Sequence, residues 1–369
     1  MRIAIDANPI FHRRGGIGWY AFHLVKNLAE IDQQNEYLLY TATSPSVADR
    51  DVFSGYKNLK IVKVGKYVIG LRVLYDRIDV YHGTNFKLHA KGKAGGVVTI
   101  HDLALDKFPQ FGKKIMGQRI SFYKTRSMVR RATRVIAVSH NTAKDIQEYY
   151  DIPSGKIAVI YNGVTNDFYL SKNVQLLKEI RNKYGIKRDG FLLAVGGSDP
   201  RKNLVSLIKA YHLVDNIRSS HNLVLTGGMD KWASVIYHAI DTLGLKNDIV
   251  ITGYVPVEDL RVLYSWTALF VYPSLYEGFG FPPLEAMACG APVITSNRAS
   301  LPEVVGDAAI MIDPLNIEKL AAMIRMVLAD ERKQQEMRTK GFERVKCFSW
   351  EETARKTLKV YREIVEEAH

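Results

Sequence analysis

Short apolar runs rich in Val and Ile alternate along the chain with stretches whose apolar residues fall at helical spacing. Runs of this kind, bounded by turn residues and too short for helices, read as strands buried on both faces, as in parallel sheets covered by helices. In the first half they occupy 2–7, 37–40, 60–64, 80–82, 97–101, 134–138 and 157–160. A turn-rich break follows at Asn162-Gly163-Val164-Thr165-Asn166-Asp167, and after a linker helix a second series occupies 191–195, 222–226, 249–252, 269–272, 292–295 and 309–312. Helices are expected from Ile317 and Glu331, with a last one over 351–367 opened by Phe348-Ser349-Trp350. The pattern predicts an α/β protein of two doubly wound domains, with a boundary near Phe168: residues 1–167, residues 168–349, and a C-terminal helix, 350–369.

Composition agrees with two domains, because 369 residues with 47% hydrophobic content exceed what a single core of roughly 250–300 residues holds. No run reaches the roughly 18 apolar residues that span a bilayer, and the chain opens on a strand rather than a signal peptide, so a cytosolic protein is expected. Two cysteines, Cys289 and Cys347, suit a reducing compartment and exclude a disulfide framework. The charge is lopsided: residues 1–166 carry 25 Lys+Arg against 13 Asp+Glu, in a chain of net charge +13. From Lys107 to Lys144 there is no acidic residue, while Lys113, Lys114, Arg119, Lys124, Arg126, Arg130, Arg131 and Arg134 accumulate around Met116, Ile120 and Tyr123. Residues 107–134 therefore read either as an amphipathic helix lying on anionic lipid, giving peripheral attachment to the inner membrane face, or as a solvated helix packed inward by those three apolar residues. Nucleic acid is not expected as a partner, since no recognised motif accompanies the charge.

The most informative chemistry is Glu277-Gly278-Phe279-Gly280-Phe281-Pro282-Pro283-Leu284-Glu285. The proline pair is tolerated only at a helix start, so Glu277 belongs to the loop after the strand 269–272 and Glu285 to the first turn of a helix. Both acids then sit at one mouth, beside the unpaired N–H groups of a helix N-terminus that favour an anion. Carboxylates that accept from hydroxyls, next to an anion site, suit a nucleotide sugar. The run through Ala286-Met287-Ala288-Cys289-Gly290-Ala291-Pro292-Val293-Ile294 resembles the Glu-x7-Glu signature of the retaining family 4 glycosyltransferases. That resemblance implies the GT-B fold, two doubly wound Rossmann-like domains facing across a cleft, over essentially the whole chain. It also implies that Glu277 contacts the donor sugar hydroxyls, Glu285 the nucleotide ribose, and the backbone at Gly280 and Phe281 the diphosphate.

The remaining motifs fall at strand ends, where ligands bind in such sheets. Gly15-Gly16-Ile17-Gly18 precedes a helix expected from about Trp19. Its spacing, and its distance beyond Ala7, argue against a dinucleotide fingerprint. In the family the matching loop covers the donor phosphate and shapes the acceptor side, which implicates Gly16 and Gly18. His101-Asp102 ends the strand 97–101; His101 matches the histidine that contacts the donor sugar, and Asp102 either orients it or meets the acceptor hydroxyl. His82 has the weaker claim and reads as a loop support. In Gly196-Gly197-Ser198-Asp199-Pro200-Arg201-Lys202-Asn203, the cations Arg201 and Lys202 would neutralise a diphosphate leaving group in place of a divalent metal. Many family members carry an arginine where this chain has Gly197. Tyr254 and Val255, after Gly253, resemble the segment that meets the base.

The expected protein is thus a retaining, metal-independent hexosyltransferase with no cofactor. It would carry a sugar, by resemblance to bacterial mannosyltransferases of surface-polysaccharide assembly a mannose from GDP-mannose, to a saccharide or lipid-linked saccharide. Two rival readings stay open: a nucleotide-sugar isomerase or hydrolase of the same shape, and a polyanion- or membrane-binding protein with a vestigial cleft.

Overall fold

In a computed structural model the chain forms two compact units, one of Met1–Gly163 joined by the C-terminal segment from Phe348, the other Val164–Cys347. The structure describes all residues except 12–14, 66, 112–114, 230 and 369, and leaves the side chains of 48 and 111–121 undescribed as well. The first unit holds a sheet of β1 (Arg2–Asp6), β2 (Glu36–Thr41), β3 (Leu59–Lys63), β4 (Val80–Gly83), β5 (Gly95–Ile100), β6 (Arg134–Ala137) and β7 (Ile157–Val159). The second holds β8 (Gly190–Val195), β9 (His221–Thr226), β10 (Ile249–Gly253), β11 (Leu269–Tyr272), β12 (Val293–Ser296) and β13 (Ile310–Ile312). Each apolar run of the sequence is one of these strands, and every pairing is parallel.

The strand orders are β3-β2-β1-β4-β5-β6-β7 and β10-β9-β8-β11-β12-β13. Both are the doubly wound order in which the chain leaves its first strand in one direction and returns to extend the sheet in the other. The reversal opens a crevice between β1 and β4 in one sheet and between β8 and β11 in the other. The loops that carry the sequence motifs leave these four strands, β5 and β10.

The residues explain the elements locally. Interior strands are almost uniformly buried, as parallel strands covered on both faces must be. Helices begin where a short polar side chain takes an orphan amide: Ser139 accepts from the Thr142 amide, Asn173 from that of Leu176, and Ser349 from that of Glu352. The second core gathers Leu192, Leu225, Val271 and Ile294 from the strands with Leu207, Ile240 and Ile324 from the covering helices.

The last helix, Trp350–Glu366, packs on helix Gly16–Ile31 within the first unit. Its Tyr361 hydroxyl bonds His82 Nδ1 at 2.6 Å; His82 Nε2 bonds Thr99 Oγ1 at 2.7 Å, and Thr99 Oγ1 bonds the Tyr20 hydroxyl at 2.9 Å. All four residues are buried, and burial, followed by the nearby His101, holds the His82 pKa down to about 3. His82 is therefore a neutral member of a buried polar string that joins the last helix to β5.

Candidate functional site

In the second unit the chain leaves β11 through Pro273 and Ser274, turns at Glu277, and enters helix Phe281–Ala288 from Gly280. Gly280 has φ +112°, and a Cβ there would lie 2.8 Å from Leu301 Cδ2, so only glycine fits without strain. This conformation lets the helix start at Phe281, with the prolines inside its first turn. Glu285 is consequently its fifth residue, not one of the first turn as expected. Ser300 pins the loop, its hydroxyl reaching the carbonyls of Glu277 (3.0 Å) and Phe279 (2.7 Å).

Glu277 is fixed by three donors on one oxygen. Its Oε1 accepts from Lys202 Nζ at 2.6 Å, Ser274 Oγ at 2.6 Å and the Tyr272 hydroxyl at 2.8 Å. Lys202 also donates to the Tyr272 hydroxyl at 2.7 Å. Only 16% of the Lys202 side chain and 13% of the Glu277 side chain meet solvent. Burial alone would raise the Glu277 pKa, but the Lys202 charge and these three hydrogen bonds outweigh it and hold the carboxyl below its usual value. Glu277 is thus an anion with Oε1 saturated, and among the described residues Oε2 takes no hydrogen bond. Lys202 keeps one of its three N–H groups beyond these two partners.

Lys202 reaches this place from the loop after β8. Asp199 caps the single turn Pro200–Lys202, accepting the Arg201 amide at 2.9 Å, and holds the Arg201 guanidinium at 2.6 Å through Nη2. Arg201 in turn overrides the burial of Asp199 and lowers its pKa. The Arg201 carbonyl accepts from the Leu275 amide (2.7 Å), which ties the two loops together. Behind them Gly197 has φ +62°, and a Cβ would stand 2.3 Å from the Gly228 carbonyl oxygen. The Gly197 position beyond β8 therefore admits no side chain.

Glu285 has a different environment. Its Oε2 accepts from the Tyr264 hydroxyl at 3.1 Å, no cation accompanies it among the described residues, and burial raises its pKa to about 7. Tyr254 is exposed and Val255 buried just past the positive-φ Gly253 that ends β10. Sequence reasoning thus found Glu277 and Lys202 without their pairing, and it missed Tyr272, Ser274 and Asp199. Asp199 was detectable, since Asp followed by Pro is a helix-start signal.

The first unit carries its own constellation. At the switch between β1 and β4 lies a cavity of about 420 Å³ lined by Asp6, Asn8, Gly16, Gly18, Asn85 and Lys87, among others. Helix Gly16–Ile31 begins at Gly16, three residues ahead of the expected start, and a Cβ on Gly16 would meet nothing within 4 Å. Asp6 Oδ1 holds the Asn8 amide and side chain, at 3.1 and 2.7 Å. These cavity residues other than the glycines were not singled out by sequence. His101 lies just past the end of β5, with Nε2 2.8 Å from the Thr84 carbonyl oxygen and the Tyr20 ring edge-on at 4.7 Å. That carbonyl requires the proton on Nε2, so Nδ1 offers a lone pair. Burial lowers the His101 pKa, against the opposing pull of the Thr84 carbonyl and Asp102, and keeps the ring neutral. Asp102 turns back to accept the Ala104 amide at 2.9 Å. The one Asp-x-Asp spacing in the chain, Asp49-Arg50-Asp51, lies in helix Val47–Ser54, where Asp49 serves the Ser46 cap.

Of the basic segment, Lys113 and Lys114 lie outside the described residues, as do the side chains of Met116, Arg119 and Ile120. Tyr123, expected on the apolar stripe, is exposed; the neighbouring Phe122 and Val129 pack the core instead.

Two parallel sheets of the same winding order, each with a glycine loop at its reversal, define the GT-B class of glycosyltransferases. Residues 178–344 match the family Glycosyl transferases group 1, and residues 14–168 match Glycosyltransferase Family 4. The chain is 30% identical over 98% of its length to the O-antigen chain mannosyltransferase B of Escherichia coli, all of which it covers. Among solved structures it superposes on Anabaena HepE in complex with UDP-glucose (TM-score 0.77, 17% identity, 98% of this chain and 99% of that one). It superposes about as well on sucrose-phosphate synthase of Thermosynechococcus elongatus (TM-score 0.76, 21% identity, 98% of each). The chain belongs to family 4 of the GT-B glycosyltransferases, and within it resembles bacterial mannosyltransferases.

Proposed function

We propose that this glycosyltransferase moves a hexose, in the first instance mannose from GDP-mannose, to a hydroxyl of a saccharide or lipid-linked saccharide in cell-surface polysaccharide assembly, with retention of configuration. The observation that carries the reading is the Lys202–Glu277 pair held beside the helix that starts at Phe281. The full-length similarity to an O-antigen mannosyltransferase supports the choice of sugar and pathway class, and the UDP-glucose complex of HepE supports a nucleotide-sugar donor.

In this reading Glu277 Oε2 accepts from a donor-sugar hydroxyl, and the remaining Lys202 N–H and the Gly280–Phe281 backbone meet the diphosphate. Arg201, forked on Asp199, adds positive potential, and Glu285 accepts from the ribose. Leaving-group departure builds negative charge on the distal phosphate, which fixed cations and a helix N-terminus stabilise without reorganising. Glu277 is committed on Oε1 and anionic, which suits orienting a hydroxyl. A front-face transfer, in which the departing phosphate oxygen takes the acceptor proton, needs no carboxylate nucleophile. The neutral His101 accepts from a donor-sugar hydroxyl through Nδ1, and the cavity beside Gly16 and Gly18 receives the acceptor. Cations at the diphosphate take the place of a divalent metal, and no cofactor enters.

The test is transfer by the purified chain from a panel of nucleotide sugars to a saccharide acceptor, with the product anomer assigned by NMR. GDP-mannose alone should give an α-linked product, at an unchanged rate in EDTA. An inverted product, nucleotide release without glycosylated product, or activity lost in EDTA and restored by manganese would refute the corresponding part.

A further inference from the structure

Helix Ile69–Tyr75, between β3 and β4, is apolar on two sides. Ile69 and Val73 enter the core with Val64, Ile78 and Tyr81. The other side carries Leu71, Leu74 and Tyr75, and the turn that leads into the helix adds Tyr67 and Val68. All five are exposed: Tyr67 95%, Leu71 61%, Tyr75 77%. Isolated exposed apolar residues are ordinary, but five within nine positions form a patch of the kind that marks an interaction surface.

The rim of the patch says what covers it. A Cβ on Gly70 would lie 2.9 Å from the Lys91 Cδ and Cε, and a Cβ on Gly92 would lie 2.5 Å from Leu74 Cδ2. The Lys91-Gly92-Lys93 loop therefore lies against the helix and sets two exposed lysines beside the patch. The Arg72 guanidinium sits 5.0 Å over the Tyr75 ring, and Arg77 is exposed at the helix end. The helix's own acid, Asp76, is buried and taken by Arg72 (2.7 Å) and the Tyr40 hydroxyl (2.6 Å), while Asp79 accepts the Arg2 amide. Tyrosines at both ends of an apolar patch, with lysines whose stems lie along it, are the side chains that settle at a headgroup boundary.

Strand register places a second basic surface on the same side. Ala4, Tyr81 and Gly96 are aligned neighbours, and alternate residues carry that face on to Val98, Val135 and Ala137. Helix Ile69–Tyr75 covers this face through Tyr81, and helix Ile115–Arg131 covers it through Val129. The exposed Tyr123, Lys124, Arg130 and Arg131 thus lie in the same layer as the patch. Helices Gly16–Ile31 and Trp350–Glu366 cover the opposite face, through Tyr20 and Tyr361.

We propose that Tyr67, Val68, Leu71, Leu74 and Tyr75, rimmed by Lys91, Lys93 and Arg77, dock the first unit on a bilayer bearing anionic headgroups. The patch enters the headgroup boundary and the cations meet lipid phosphates; no helix among the described residues is long and apolar enough to cross the membrane. The biological purpose rests on the lipid-linked acceptor proposed above, but the docking itself needs no donor or acceptor.

Flotation of the full chain with vesicles of phosphatidylcholine, with and without phosphatidylglycerol, tests this directly. The parent should float with the mixed vesicles and not with phosphatidylcholine alone. Leu71→Ser with Tyr75→Ser should weaken flotation about tenfold or more. Lys91→Glu with Lys93→Glu should do so about 25-fold or more, since each cation contributes about fivefold. Both variants should keep the parent's melting temperature and its transfer rate to a soluble saccharide. Because the double serine variant alters a surface helix, Tyr75→Trp serves as an independent reporter whose indole emission should shift to the blue on mixed vesicles. Flotation unchanged by the serine pair, or an indole emission that mixed vesicles leave unshifted, would overturn the proposal. So would a parent dimer, dispersed by the serine pair, that ignores lipid. Failure of transfer with every donor would strike the proposed function and leave this result standing.

Discussion

At the reversal of the second sheet the protein sets ion pairs, the largely buried Lys202 with Glu277 and the half-buried Arg201 with Asp199, and closes the loops behind them with glycine backbones in contact. At the reversal of the first sheet the buried acid Asp6 holds the Asn8 amide and side chain, and the polar groups behind it are uncharged. Tyr361, His82, Thr99 and Tyr20 form a neutral string, the glycine loop stands open, and the exposed Lys87 lines the cavity. The winding order is the same, so the difference lies in the loops. A fixed charge array suits a ligand whose charge changes during reaction, because preorganised dipoles and ions cost nothing to reorient at the transition state. An open cavity lined by Asp6, Asn8, Asn85 and Lys87 suits a ligand recognised by shape and hydroxyls.

Breaking the charged array has the largest expected effect. Lys202→Ala leaves Glu277 buried without its cation and should cost about 3–5 kcal/mol of stability, with transfer reduced by a factor on the order of 10²–10³. Glu277→Ala strands Lys202 in the same way. The double variant, which removes both charges, should be markedly less destabilised than the sum of the singles. Urea unfolding gives the stabilities and initial rates give the activity. Additive losses would mean that the pair is no unit.

Gly197→Ala tests the backbone side of the same region. A left-handed residue facing a carbonyl oxygen at 2.3 Å cannot accept a methyl group without moving β8 from β9, so about 3 kcal/mol of stability should go. An unfolding midpoint near the parent's would show that the two loops are not locked.

The pair and the lone acid at this mouth should also separate by pH. Glu285 has its pKa raised to about 7 from 4.5, so the folded state holds a proton that the unfolded state has released. The native state therefore binds more protons between these values, and stability falls as pH rises through about 7. Glu285→Gln, which keeps the Tyr264 partner, should match the parent at pH below about 4 and exceed it by about 3 kcal/mol above pH 8. Ribose hydroxyls donate best to the ionised acid, so nucleotide should protect the parent increasingly above pH 7, read as a thermal shift. Glu277, lowered by Lys202 despite its burial, should contribute the opposite slope in acid.

What the sequence revealed follows the same division. The strands among the described residues were legible because parallel strands covered by helices are short apolar runs rich in Val, Ile and Leu, a signal that needs no partner. The Glu277 loop was legible because glycine and proline announce their backbone. The Lys202–Glu277 contact was not, since it joins residues 75 positions apart through two loops whose geometry no local pattern encodes. Likewise Tyr361 meets His82 across 279 positions, and its helical spacing shows only that it faces inward. Tyr123 was misplaced because its neighbour Phe122 supplies the buried ring. Periodicity alone could not choose between adjacent aromatics.

The neutral string of the first unit should yield smaller effects. Tyr361→Phe leaves His82 Nδ1 buried without a partner and should cost about 1–2 kcal/mol. Thr99→Val should cost a similar amount, and the double variant less than the sum, because both act on one imidazole. If the string also steadies Tyr20 against His101, Tyr361→Phe should raise KM for the donor more than it lowers kcat.

The smallest shift is expected at Gly16, the counterpart of Gly197. Its φ is not positive and a Cβ there meets nothing within 4 Å, so Gly16→Ala should change stability by less than about 1 kcal/mol, upward as the unfolded chain loses freedom. The added methyl group nonetheless projects at the rim of the 420 Å³ cavity. Acceptor KM should rise while donor KM and the unfolding midpoint hold. A Gly16→Ala variant that unfolds as readily as Gly197→Ala would erase the contrast between the open loop and the locked one. A variant with donor and acceptor KM both unchanged would remove the cavity from the acceptor's path.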